Sequence, residues 1–107
     1  GRLKEIINKG GEKISPLEVD NVLMDHPSIE QAVCFGYEDK MLGEDIATAI
    51  ILKEGVNFTE EDLKIYVKEK LAKFKIPKKI FFVTEIPKGA TGKLQRNVLA
   101  KKFGLDN

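Results

Sequence analysis

The spacing of hydrophobic and polar positions changes several times along this chain of 107 residues, and each change predicts a different element. Strand-like segments at 4–8 and 12–14 flank Lys9-Gly10-Gly11, which predicts a β-hairpin around a glycine turn. Helical spacing predicts three helices. The first starts at Pro16 and ends by His26, the second starts after Thr59 and ends near Ala72, and the third is at the end of the chain. Longer β-prone runs predict strands at 29–37, 45–53 and 79–84.

Several boundaries can also be predicted. Ser15 with Glu18, and Thr59 with Asp62, have the spacing of capping boxes at the starts of the first two helices. The segment 74–77 is expected to be an extended connector, and Gly104 to end the last helix. The order hairpin, helix, strand, strand, helix, strand, helix indicates an α+β fold, with a small, mainly antiparallel three-stranded sheet covered by helices and an N-terminal β-hairpin.

Length and composition fit one domain, residues 1–107, with 42% hydrophobic residues and a single modest core. A domain of this size has little room for a deep pocket, so a site shared with a partner is expected. The start at Gly1, without an initiator methionine, suggests a piece of a longer protein. The longest apolar stretches are strand-length, so neither a membrane span nor a signal peptide is expected.

Charge narrows the possible partners. Eighteen basic and 17 acidic residues give a net charge of +1, which argues against bulk binding to a polyanion or a membrane surface. One stretch is rich in lysines, at 64, 68, 70, 73, 75, 78 and 79. These lysines form either a solvated helix face with its exit loop or an anion-facing patch.

The lone cysteine and the lone histidine suggest no catalytic or metal site. Cys34 lies in an apolar run and is expected to be a small buried hydrophobe in a reducing compartment. His26 is distant from it in sequence, at a predicted helix end. One Cys and one His cannot complete a thiolate or imidazole metal site.

Two loops combine glycines with lysines, at 9–13 and 88–93. Glycine lets backbone amides approach a ligand closely, and lysine can meet a phosphate or a carboxylate. Neither loop is a P-loop, because Gly89 and Gly92 are separated by two residues and Leu94 follows Lys93. The Gly89–Gly92 spacing also matches the clamp of a KH domain, so a single-stranded nucleic-acid-binding module is an alternative of another class.

These motifs together resemble the C-terminal domain of the adenylate-forming enzymes, the acyl-CoA synthetase or AMP-binding enzyme superfamily. Residues 1–11, 14–19 and 26–27 resemble the signature that opens that domain, and residues 87–93 resemble the one that closes it. The resemblance spans essentially the whole chain. It implies a large N-terminal domain as partner and a parent protein that is an ATP-dependent acid–CoA ligase.

The reaction implied by the resemblance has two steps. A small-molecule carboxylic acid reacts with ATP to give an acyl-adenylate, and after domain rotation coenzyme A displaces AMP to form a thioester. ATP and coenzyme A are thus the expected substrates, and Mg²⁺ is expected to bind outside this chain. An amino-acid-activating domain that loads a carrier protein is the alternative within the superfamily. No nucleic acid is an expected partner.

The resemblance also assigns residues. Lys93 matches the catalytic lysine of adenylation, Arg2 the arginine that contacts the nucleotide, and Lys4 the hinge. Gly11 matches the glycine that lines the channel for the pantetheine of coenzyme A, with Gly10 and Lys13 as weaker neighbours.

Other positions bear on the type of enzyme and its location. Lys88 and Arg96 are expected to position the closing loop. Asn8 stands where luciferase-like members carry a second lysine, which disfavours luciferase chemistry. A cytoplasmic location is expected, or a peroxisomal one if the native C-terminus extends beyond Asn107.

Overall fold

The computed structural model describes residues 6–88 and 95–105. Within them the chain forms an α+β domain with one sheet, as expected. The strands are β1 (Ile7–Lys9), β2 (Glu12–Ile14), β3 (Ile29–Asp39), β4 (Gly43–Leu52) and β5 (Lys79–Phe82), and the helices are α1 (Pro16–Met24), α2 (Glu60–Lys70) and α3 (Leu99–Lys102). No helix in this part of the chain is both long and apolar enough to cross a membrane.

Strand β4 is the centre of the sheet. β3 pairs with it antiparallel from Ile29↔Leu52 to Asp39↔Gly43. The other edge of β4 is shared, because β1 pairs antiparallel at Lys9↔Gly43 and β5 pairs parallel further along. β5 is parallel since α2 carries the chain back across the sheet before it begins. The predicted hairpin and the predicted three-stranded sheet therefore form one five-stranded sheet, with β3 at its outer edge.

Both faces of β3 and β4 are buried, and this makes the domain three-layered. On one face Ile46 and Ile50 pack in a core with apolar side chains of α1 and α2. On the other face Phe35 packs in a core with Ile86 and with Leu99 of α3. Burial on both faces explains why these two strands are apolar almost without alternation.

The capping box predicted at α2 is confirmed, whereas the one at α1 is wrong. The Asp62 N–H donates to the Thr59 hydroxyl at 3.1 Å, and the Thr59 N–H donates to the Asp62 carboxylate at 3.0 Å. The Ser15 side chain makes no capping hydrogen bond. Glu18 instead accepts from the Lys75 ammonium at 2.9 and 3.0 Å, because a charged partner gives a stronger bond than a backbone amide.

The segments around β5 and α3 differ partly from expectation. The connector predicted to be extended from Phe74 begins with a 3₁₀ turn at Lys73–Lys75. A second 3₁₀ turn, Arg96–Val98, leads into α3. Gly104 ends this last helix as predicted: its N–H donates to Lys101, and the N–H of Leu105 donates to Ala100.

Candidate functional site

The first candidate loop is a tight turn between β1 and β2. Register Lys9↔Glu12 leaves only Gly10 and Gly11 between the strands. Their φ angles are +56° and +92°, the left-handed conformation that a two-residue type I′ turn requires and glycine adopts at low cost. The Gly10 N–H also donates to the Leu42 carbonyl at 2.7 Å, which ties the turn to the β3–β4 connection.

The two glycines have different surroundings. A Cβ on Gly10 would lie 3.1 Å from the Leu42 Cδ2, whereas a Cβ on Gly11 would meet nothing within 4 Å. Lys13 is exposed on the neighbouring strand. Contacts with the described residues therefore do not exclude a side chain at Gly11, although its positive φ disfavours one.

Lys9, one of the lysines expected to meet a phosphate or a carboxylate, contacts a carboxylate of its own domain. Its Nζ lies 3.1 Å from the Asp45 Oδ1 and donates to the Phe74 carbonyl at 3.2 Å. The Lys9 side chain is 17% exposed and the Asp45 side chain 4%. The ammonium of Lys9 therefore holds together the glycine turn, the start of β4 and the 3₁₀ turn before β5.

The second candidate loop falls mostly outside the described residues. Lys93, the proposed catalytic lysine, lies outside the described residues. Arg2 and Lys4, near the start of the sequence, also lie outside them. Both flanks of the loop are described. Ile86, before it, is 4% exposed in the core, and Arg96 follows Lys93 by three positions.

Arg96 makes a buried contact with the edge of the sheet. Its NH1 lies 2.7 Å from the Asp20 Oδ2 and donates to the Cys34 carbonyl at 2.9 Å. The Cys34 N–H donates to the other Asp20 oxygen at 2.6 Å. Among the described residues, β3 has β4 as its one strand neighbour, so Arg96 and Asp20 bond to backbone groups on the outer edge of β3. The side chains are 14% and 4% exposed, respectively.

Cys34 is buried, as expected, and the His26 ring packs against two other rings. Burial, and secondarily the Asp20 carboxylate, raises the pKa of the Cys34 thiol, while Arg96 opposes that rise. A neutral, fully buried thiol is a poor nucleophile. The His26 ring packs against those of Phe58 and Tyr66, with centroids 4.6 and 4.7 Å away.

Lysines of the cluster 64–79 have several kinds of surroundings. Lys75 pairs with Glu18, and Lys64 pairs with Glu60 one turn earlier on α2. Lys68 and Lys78 line adjoining open grooves between α2 and the segment before β5. Within residues 6–88 and 95–105, no three His, Cys, Asp or Glu side chains come together as a metal site.

Asp20 and Asp45 are the residues that the sequence interpretation missed. Asp20 lies among the buried positions of α1, beside Val19 and one turn before Leu23. A carboxylate within an apolar helical stripe was the available signal, because such a group requires a buried partner. Asp45 is the first residue of a predicted apolar strand, and a carboxylate at the end of an apolar run is a weaker indication of a buried partner.

Comparisons with known proteins agree on one family. The AMP-binding enzyme C-terminal domain family matches residues 18–93. Over 103 residues the chain is 52% identical to oxalate–CoA ligase of Arabidopsis thaliana, covering 96% of this chain and 20% of the relative. It is 41% identical over 103 residues to a human medium-chain acyl-CoA ligase, covering 96% of this chain and 17% of that protein.

Solved structures give the same result. Apo MatB from Rhodopseudomonas palustris superposes with a TM-score of 0.85 at 29% identity, covering 96% of this chain and 21% of that one. A Mycobacterium tuberculosis fatty acyl CoA synthetase superposes with a TM-score of 0.81 at 31% identity, covering 95% and 20%. The chain thus spans about one fifth of the length of these proteins. Sequence and fold together establish that the chain belongs to the AMP-binding enzyme C-terminal domain family.

Proposed function

We propose that this chain is the C-terminal domain of an ATP-dependent acid–CoA ligase, here called the parent enzyme. The family match over residues 18–93 is the observation that carries the proposal. Relatives named as CoA ligases cover 96% of the chain, so the likeness includes both candidate loops.

Lys93 supplies the cation for the first half-reaction. A carboxylate and a triphosphate repel each other as they approach, and charge moves onto the leaving pyrophosphate. An ammonium placed between the carboxylate and the α-phosphate stabilises that transition state and orients both reactants. Arg2 contacts the nucleotide in the same closed state.

The Gly10–Gly11 turn serves the second half-reaction. Gly11 has no side chain, and apart from Gly11 and its two chain neighbours no atom of the described residues lies within 4 Å of the position of a Cβ. A pantetheine arm can therefore pass close to the backbone. The exposed Lys13 lies beside this path.

One domain reaches one active site with two loops in turn by rotating against a large N-terminal domain. Lys4 is the hinge of that rotation. Each closure excludes water and places a different loop at the reacting atoms. The large domain selects the carboxylic acid and holds Mg²⁺ with ATP, and no step is assigned to a metal on this chain. The single buried cysteine suits a cytoplasmic location.

The test measures the two half-reactions of the parent enzyme separately. ATP–pyrophosphate exchange across a panel of acids and amino acids reports adenylation, and AMP release from a supplied acyl-adenylate reports thiolation. Exchange that depends on a carboxylic acid, with coenzyme A as the acceptor, is expected. Exchange with amino acids only, together with transfer to a carrier protein, would replace the ligase with the amino-acid-activating alternative.

A second measurement concerns the 107-residue chain alone. The chain should neither activate acids nor bind single-stranded RNA at physiological salt. Acid-dependent exchange by the isolated chain would overturn the proposed division of labour, and micromolar RNA affinity would favour a nucleic-acid-binding module.

A further inference from the structure

We propose that each candidate loop is positioned by its own ion pair, Lys9–Asp45 for the glycine turn and Arg96–Asp20 for the segment that carries Lys93, and that the two pairs serve different half-reactions. The inference rests on the proposed function. Lys9, Asp45, Asp20 and Arg96 are positioning residues, because they act through the loops.

The anchor at the glycine turn adds to the other attachments of the hairpin. Strand β1 pairs with β4 at the single register position Lys9↔Gly43. A two-stranded hairpin has little stability alone, and this one is also attached by the Gly10–Leu42 and Asn8–Glu44 hydrogen bonds and by the buried side chains of Ile7 and Ile14. The Lys9 ammonium adds two further contacts, to Asp45 in β4 and to the Phe74 carbonyl. The turn is thereby fixed against two other segments.

The need for an anchor at the closing segment follows from its length. Nine residues lie between the buried Ile86 and Arg96, so contacts at these two positions fix where the segment starts and ends. Arg96 is fixed by Asp20 and by the Cys34 carbonyl, in a site where both side chains are nearly buried. Lys93 precedes Arg96 by three positions in the sequence.

The two anchors are separate. They share no residue, and they lie on opposite edges of the β3–β4 pair: Arg96 at the outer edge of β3, and Lys9 at the edge of β4 where β1 joins. Contacts with no shared partner contribute almost independently. Loss of one anchor should therefore displace one loop and leave the other in place.

The experiment crosses the two anchors in the parent enzyme. Arg96→Met and Lys9→Met remove one charge each while retaining an apolar stem. A shift of about 1 Å in a positioned group can cost about 100-fold in rate. Arg96→Met should therefore slow adenylation about 10- to 100-fold more than thiolation, and Lys9→Met should slow thiolation by a similar excess.

Three controls separate positioning from folding. Arg96→Lys and Lys9→Arg keep the charge and should restore most of the affected half-reaction. Lys64→Met removes a lysine from the exposed pair with Glu60 and should change neither half-reaction. If a single variant does not fold, Asp20→Asn/Arg96→Met or Lys9→Met/Asp45→Asn removes both charges of a pair and replaces it.

The outcomes distinguish the inference from the proposed function. Equal slowing of both half-reactions by either anchor variant, or no slowing, overturns the inference. Lys93→Ala and Gly11→Leu, measured beside them, test the proposed function itself. If those two separate the half-reactions and the anchor variants do not, only the inference fails; if none separates them, both fail.

Discussion

The glycine turn and the closing segment are candidate parts of one enzyme, yet different kinds of contact fix their positions. In the turn, two residues join paired strands, so the local ladder from Ile7↔Ile14 to Lys9↔Glu12 sets its shape. At the end of the closing segment, Arg96 contacts Asp20 and Cys34, which are distant from it in sequence.

This difference shows how a small domain can fix two loops of different length on one sheet. A short turn needs only its register and one ion pair to set its direction. A longer segment has more conformations to lose, so its ends must be held by buried contacts. In both cases a carboxylate on the rigid part of the fold, Asp45 or Asp20, receives a cation from the loop.

The largest expected effect comes from Lys93→Ala in the parent enzyme. Loss of a cation that acts in the transition state should slow adenylation about 100- to 1,000-fold, as does loss of an oxyanion-hole donor. Thiolation of a supplied acyl-adenylate should stay nearly unchanged. Exchange kinetics and single-turnover thioester formation measure the two steps, and equal loss of both would remove the proposed division between the loops.

Gly11→Leu should have the opposite selectivity. A side chain in the pantetheine path should slow thiolation about 10- to 100-fold, through misplacement of the thiol, and spare adenylation. Gly55→Leu is a matched control, because Gly55 also has a positive φ, +81°, and open space around a Cβ. Both variants should destabilise the fold by about 1–2 kcal/mol. Equal thiolation rates in the two variants would contradict the proposed channel.

Breaking the buried Arg96–Asp20 pair should lower the free energy of unfolding more than breaking an exposed ion pair. Arg96→Met removes the Arg96 guanidinium from the nearly buried Asp20 carboxylate, and the free energy of unfolding should fall by roughly 2–3 kcal/mol, since the pair is not wholly desolvated. Lys64→Met breaks a pair whose side chains are 55% and 51% exposed, and should cost less than about 0.5 kcal/mol. Urea denaturation measures both, and similar losses would show that burial does not distinguish the pairs.

An effect that is absent at neutral pH is a pH dependence of stability at the Arg96 anchor. The pKa of the Cys34 thiol is raised above its ordinary value of 9.0 by burial, so the unfolded chain releases this proton first. Below pH 8 the thiol contributes no slope. As pH rises above 9 stability should fall by up to about 1.4 kcal/mol per pH unit from this group. Cys34→Ala should remove that part of the slope without slowing adenylation, because the anchor uses the Cys34 backbone.

Local patterns predicted most elements of the fold. Thr59 and Asp62 form their capping box from neighbours in sequence, and the glycines at 10 and 11 form the expected turn. The Ser15 prediction failed because Lys75, which is remote in sequence, competes for Glu18. The parallel pairing of β5 and the attachment of β1 to β4 were not predicted, since both depend on how α2 and the hairpin pack.

The candidate site shows the same division. The motifs at 9–13 and 88–93 could be found from residue types and spacing, and the resemblance assigned roles to Gly11 and Lys93. Lys9 was grouped with the anion-binding lysines, and only the structure pairs it with Asp45. Asp20 and Arg96 carry no such signal as a pair, because they stand near opposite ends of the sequence.

The sequence by itself determined the α+β class, the glycine turn, most helix limits and the family to which the motifs point. These properties follow from periodicity, backbone conformation and short-range hydrogen bonds. Only the tertiary structure decided which charged side chains form ion pairs within the domain. An ion pair forms where packing brings two distant residues together and removes water from them, and no local pattern specifies that distance.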